Sequence, residues 1–254
     1  MFKGLYKLTE KLRPTFDEGG KLHWLHSVYD GFETFLFTPN TTAKRVGAQI
    51  HDGSDSKRTM ILVVLALVPA LLFGMYNVGY QHLLATGELV RGGLTSALFW
   101  KAFGFGFLAV LPYILVSYIT GLGIEFTVAQ WKKEEIQEGF LVTGILIPLI
   151  VPINTPLWMV AIATAFAVIF AKEVFGGTGY NIFNVALITR AFLFFAYPTH
   201  MTGDQAFVRT GGTWGWDGGK TLVDGFSGAT PLTQVATTTE ANLLPVGFWD
   251  AFNG

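Results

Sequence analysis

The sequence predicts an all-α integral membrane protein with five transmembrane helices, a polar N-terminal segment and a polar loop after the last helix. Three observations predict it. Only 14% of the residues are charged, against about 25% in ordinary soluble domains. The apolar residues gather into blocks between Thr59 and Pro198 instead of spreading along the chain. Segments that cross lipid must satisfy their own backbone hydrogen bonds, which makes blocks of this kind helices.

Residues 1–58 form the N-terminal segment, expected on the cytoplasmic side. Its opening "MFKGLYKLTEKLRP" has no apolar core of signal-peptide length, so no cleaved export signal is expected. Further on, "KLHWLHSVYDGFETFLFTP" places Leu22, Leu25, Val28, Tyr29, Phe32, Phe35 and Leu36 at helical spacing. Trp24 and Phe37 blur the stripe. An amphipathic helix here would lie on a membrane or a partner, or simply cap the first span.

The membrane domain is expected over 59–198, with helices at 59–79, 104–126, 139–153, 156–174 and 181–198. The third is short and holds Pro148 and Pro152. Broken helices expose backbone polar groups and are tolerated where they are buried or line a site. This points either to a site between the third and fifth spans or to a re-entrant hairpin with a structural role. With the N-terminus inside, nine basic residues of 1–58 and Lys132, Lys133 and Lys172 lie inside, against Arg91, Lys101, Arg209 and Lys220 outside. Residues 199–254 then form a periplasmic loop rich in Gly, Thr and Asp, with turn chemistry. Its ending "LPVGFWDAFNG" reads as a loop cut short.

Several residues could carry chemistry. A net charge of −1 offers no footprint for nucleic acid. Cysteine is absent, so these residues offer no disulfide, thiolate zinc site or cysteine-held iron–sulfur cluster, and any electrons need an organic carrier. The five histidines read as structural or solvent-facing, His23 and His26 included, and no metal site is expected. Glu125 ends the second span, and an acid at membrane depth is a functional candidate unless it sits at the interface. Arg190 lies within the fifth span and needs a partner, either a carboxylate or an anionic cofactor.

The corner "FGGTGYNIFN" looks only superficially like a phosphate loop, since no Lys-Ser/Thr follows. Asn181 and Asn184 lie three apart, which would put two amides on one helical face, suited to the edge of a flat heterocycle or to joining helices. In "DGFSGAT", Thr230 offers a hydroxyl that can be esterified. Gly228 and Ala229 keep the neighbouring backbone bare, so a modifying enzyme can close over it. Asp224 and Ser227 complete the motif, which chance would place in roughly one chain in a thousand.

"DGFSGAT" resembles the acceptor motif of flavin transferases. Together with "AKEVFGGTGYNIFN", "RAFLFFAYP", "SGATPLTQ" and "VPALLFGMYNVGYQ", it resembles the B subunits of the sodium-translocating NADH:quinone oxidoreductases of bacterial inner membranes. The resemblance runs from about Phe35 to the end. It implies FMN bound through a phosphodiester on Thr230, non-covalent riboflavin near Asn181 and Asn184, and a link of Gly121 and Glu125 to quinone reduction and ion coupling. It also implies a six-subunit complex that passes electrons from NADH to quinone and moves sodium outward, with a flavin transferase as a transient partner. The implied fold is the first half of two inverted five-helix repeats, similar to urea channels. Val185 and Leu122 depart from the family pattern, where proline and glycine are expected. Two alternatives share parts of this pattern: the sister D-type subunits of ferredoxin:NAD ion pumps of the Rnf type, and a flavin-free solute transporter of the urea-channel type.

Overall fold

Prolines and glycines decide where the helices of this chain stop and how closely they approach. The structure, a computed structural model, describes residues 3–16, 29, 56–89, 95–132, 139–203, 206–209 and 211. The expected amphipathic helix at 22–36 lies outside the described residues apart from Tyr29, as does the acceptor motif Asp224, Ser227, Gly228, Ala229 and Thr230.

The helices are α1 (Lys3–Phe16), α2 (Ser56–Ala85), α3 (Ser96–Lys132), α4 (Phe140–Ile150), α5 (Leu157–Ala167), α6 (Val185–Ala196) and the single turn α7 (Pro198–Met201). α5 continues as a π turn (Val168–Lys172) and a 3₁₀ turn (Glu173–Phe175). No strand occurs among the described residues. α1 falls in a stretch read from sequence only as mixed and polar. The ring of Tyr29 stacks on Phe16 at its end, with centroids 4.8 Å apart.

Among the described residues, three helices are long and apolar enough to cross a membrane: Thr59–Ala85, Ser96–Lys132 and Leu157–Phe175. The first two run further than the spans expected at 59–79 and 104–126, because the polar residues at their ends, such as Gln81 and Lys101, stay helical. The third and fifth expected spans are shorter than read. α4 has 11 residues and α6 has 12, about 17 Å each at 1.5 Å per residue, roughly half the bilayer core. Pro152 and Pro156, which lack an N–H, follow the end of α4 and stop it from running into α5. Asn184 caps α6, so 181–183 stay outside the helix.

Small residues set the packing. α2 crosses α3 where Gly79 meets the Ala102 carbonyl and Gly106 meets the Met75 carbonyl; a Cβ would lie 1.7 Å and 1.6 Å from those oxygens. Such approach is a membrane-helix contact in which backbones replace side chains. α3 also packs on α4 and α5, and α5 on α6. The shared core joins Tyr113, Phe140, Ile147, Val160, Val168 and Leu193. Leu62, Ile119, Trp131 and Phe195 stay exposed, as suits a surface whose solvent is lipid.

Candidate functional site

One face of α3 carries Tyr113, Ser117, Gly121 and Glu125, four residues apart, and all four are buried. This i, i+4 row is the ridge a helix offers to its neighbours. At its lower end Glu125 pairs with Lys172, each only 4% exposed. Lys172 reaches it from the π turn that ends α5. A π turn shifts the register of the side chains that follow, and such bulges recur at functional sites. Beside it Lys132 lies 3.6 Å from Glu173, so two acids and two bases bridge α3 and the end of α5. Glu125 is therefore no ordinary interfacial acid. Its Oε2 is buried without a hydrogen-bond partner among the described residues, leaving one oxygen able to take a ligand.

Gly121 stands one turn above Glu125. A Cβ there would lie 1.8 Å from Cζ of Phe140, whose ring covers the glycine. Gly121 thus presents no open surface; it admits Phe140 between α3 and α4.

The two amides at the α5–α6 corner do not share a helical face, contrary to the expectation from their spacing. Asn181 lies in the turn, where its Oδ1 accepts from Gly179 N at 3.1 Å and its Nδ2 donates to the Phe183 carbonyl at 2.9 Å. Asn184 is the N-cap of α6, and its Oδ1 accepts from Ala186 N at 3.0 Å and Leu187 N at 3.2 Å. The physical reason is capping: a short amide satisfies orphan N–H groups better than a helix interior would. The glycines before them, Gly176, Gly177 and Gly179, take φ values of +111°, +95° and +91°. A side chain there is strained, so this stretch is a tight corner.

The break between α4 and α5 is held from three sides. The Tyr113 hydroxyl donates to the Ile153 carbonyl and also lies 2.7 Å from the Thr155 carbonyl. Asn154 donates from Nδ2 to the Val208 carbonyl at 2.7 Å, and its backbone N–H reaches Ala206 O at 3.2 Å. Arg209, 1% exposed, donates from Nη1 to Ile153 O at 3.0 Å. His82 Nδ1 lies 2.7 Å from the Arg209 carbonyl, and its ring stacks on Phe105 at 3.7 Å. Residues 206–209 thereby form a latch across the broken helix.

Sequence reasoning missed Lys172, Tyr113, Asn77 and Arg209. Lys172 counts in the sequence only as a base on the inner side, and only its place at the end of an apolar block hints at burial. Arg190 is exposed on α6 and lines a cavity with Asn77 and the end of α4.

A family profile described as "NQR2, RnfD, RnfE family" matches residues 44–254. The chain is similar to proteins named as the B subunit of Na(+)-translocating NADH-quinone reductase. The relative in Ectopseudomonas mendocina is 40% identical over 99% of this chain and 63% of its own length. The one in Klebsiella pneumoniae is 40% identical over 99% of this chain and 64% of its own. That in Pseudoalteromonas atlantica is 38% identical over 99% and 63%. The chain thus spans less than two thirds of these relatives. A match along most of its residues, on an all-helical frame with three membrane-length helices, means that the chain belongs to the NQR2, RnfD, RnfE family.

Proposed function

We propose that the chain is part of an electron-transfer flavoprotein subunit of a Na+-translocating NADH:quinone reductase, placed in a bacterial inner membrane with other subunits of that complex. In this reading the chain crosses five times, with the short α4 and α6 completing the set, and residues 199–254 face the periplasm. The single observation that carries it is the likeness, along 99% of the chain, to proteins of that name. Thr230 is the attachment point of FMN. Its Oγ attacks the FMN phosphate of FAD, a phosphodiester forms and AMP leaves, in a step run by a flavin transferase. Riboflavin is the second, non-covalent flavin. Flavins supply redox chemistry that amino-acid side chains lack.

The chain's own groups supply the surroundings. Glu125 keeps one carboxylate oxygen unfilled at membrane depth, which supports a part in handling Na+ or protons. Gly121 acts on the quinone step through packing, by seating Phe140.

The test uses the full-length protein, made with a flavin transferase, digested and weighed. The peptide holding Thr230 is expected to carry FMN, and Thr230→Ala to lose it together with quinone reduction while the complex still assembles. An unmodified Thr230 peptide in a folded, assembled protein would overturn the reading.

A further inference from the structure

Lys172 stands on the seam between two irregular turns. The π turn Val168–Lys172 ends on it, and the 3₁₀ turn Glu173–Phe175 begins after it. Its backbone leaves helical geometry, with φ −124° and ψ −63°. The glycine corner follows at once, and Gly177 N–H donates to the Lys172 carbonyl at 3.1 Å. A seam of this kind lets the last side chains of a helix shift without unwinding the turns before them.

From this seam Nζ of Lys172 donates to Oε1 of Glu125, while Oε2 of the same carboxylate is buried without a partner among the described residues. The carboxylate is thus half filled, by a point charge that engages one oxygen. Lys132 is turned to Glu173 instead, 3.6 Å from its carboxylate and 3.4 Å from its carbonyl. The two acids and two bases cancel in charge. A cation added beside Lys172 would leave an excess positive charge in a buried place, which is costly. A cation that replaces the Lys172 ammonium keeps Glu125 neutralised. Lys172 has a flexible stem on which to carry its charge towards water, and the neighbouring Lys132 side chain is already 35% exposed. Charge for charge, this exchange fits a monovalent cation and not a divalent one. Carboxylate oxygens favour a hard ion.

We propose that Lys172 is a tethered cation that occupies the Glu125 carboxylate, and that a hard monovalent cation such as Na+ binds there only by displacing it. The inference rests on the ion-handling part of the reading above and adds the residue that regulates it. A site left open one tenth of the time binds its ion roughly tenfold more weakly than a free one, and an ion in transit must be held weakly enough to leave. When the ion goes, Nζ returns, so the buried carboxylate always has a counter-charge.

The experiment uses the full-length complex with Lys172→Met and Lys172→Arg, each with and without Glu125→Gln. NaCl replaces choline chloride at constant ionic strength. The Na+ concentration for half-maximal quinone reduction and the melting temperature are read. Lys172→Met removes the competitor, so half-saturating Na+ is expected to fall several-fold, and the lowered melting temperature to rise with Na+ along a saturation curve. That rise should vanish when Glu125→Gln is added. Lys172→Arg keeps the pair and offers a fork that engages both oxygens, so its half-saturating Na+ is expected to rise. Parent-like half-saturation in both variants, with melting indifferent to Na+ over choline, overturns the inference. Should Lys172→Met fail to assemble, Lys172→Arg decides alone, and an unchanged or lower half-saturating Na+ overturns it. Glu125→Gln with the parent's half-saturating Na+ instead overturns the ion role of Glu125 beneath it. A parent complex that reduces no quinone overturns the wider reading, while the melting response to Na+ still tests the exchange.

Discussion

Glu125 and Lys172 show how much one residue's surroundings matter. Taking two charges out of water is expensive, and their attraction offsets this only while both are present. Lys172→Met therefore strands a buried carboxylate and is expected to cost about 3–5 kcal/mol. Adding Glu125→Gln should restore most of the loss. Thermal melts of the purified protein in detergent check both, and a double variant as unstable as the single one would mean that the pair is not coupled. Gly121 makes a different case. Its replacement by Ala drives a Cβ into Phe140, an overpacking worth about 1–3 kcal/mol. Phe140→Leu in the same chain should relieve part of it. Should Gly121→Ala melt like the parent yet lose quinone reduction, the residue acts on the quinone directly, not through packing.

The helices that deviate from expectation do so at prolines and caps. From hydropathy alone the stretch over 139–153 reads as a span, yet Val151–Pro156 forms a turn whose carbonyls go to Tyr113 and Arg209. Those partners lie 40 or more residues away in the chain, so no local pattern could announce them. The latch at 206–209 depends on Asn154. Asn154→Ala leaves the Val208 carbonyl without its donor, a loss of about 1–3 kcal/mol for a buried group. Limited proteolysis is expected to cut near 206–211 sooner in this variant. An unchanged cleavage rate would show that the latch is held by its other contacts. The corner at 176–184 teaches the same lesson in reverse: its glycines were legible as a turn, while the amides were misplaced on a helical face because their three-residue spacing also fits a cap and the turn before it.

At the scale of the molecule, the described residues form a helical frame built for lipid, and its sidedness can be tested directly. The sequence holds no cysteine, so a single introduced thiol labels without background. With α3 crossing the membrane, Glu88→Cys is expected to react with an impermeant maleimide from the periplasm, and Trp131→Cys only after the cells are opened. Labelling of both from one side would mean that α3 does not cross. What the sequence determined by itself was the class of solvent, the number of apolar blocks and the family, because hydropathy, charge and motif are properties of neighbouring residues. What only the tertiary structure decided was which polar groups meet. The Lys172–Glu125 pair, the Arg209 latch and the cavity between Asn77 and Arg190 each join helices distant in the chain. Their cost or benefit exists only once packing has removed the competing solvent.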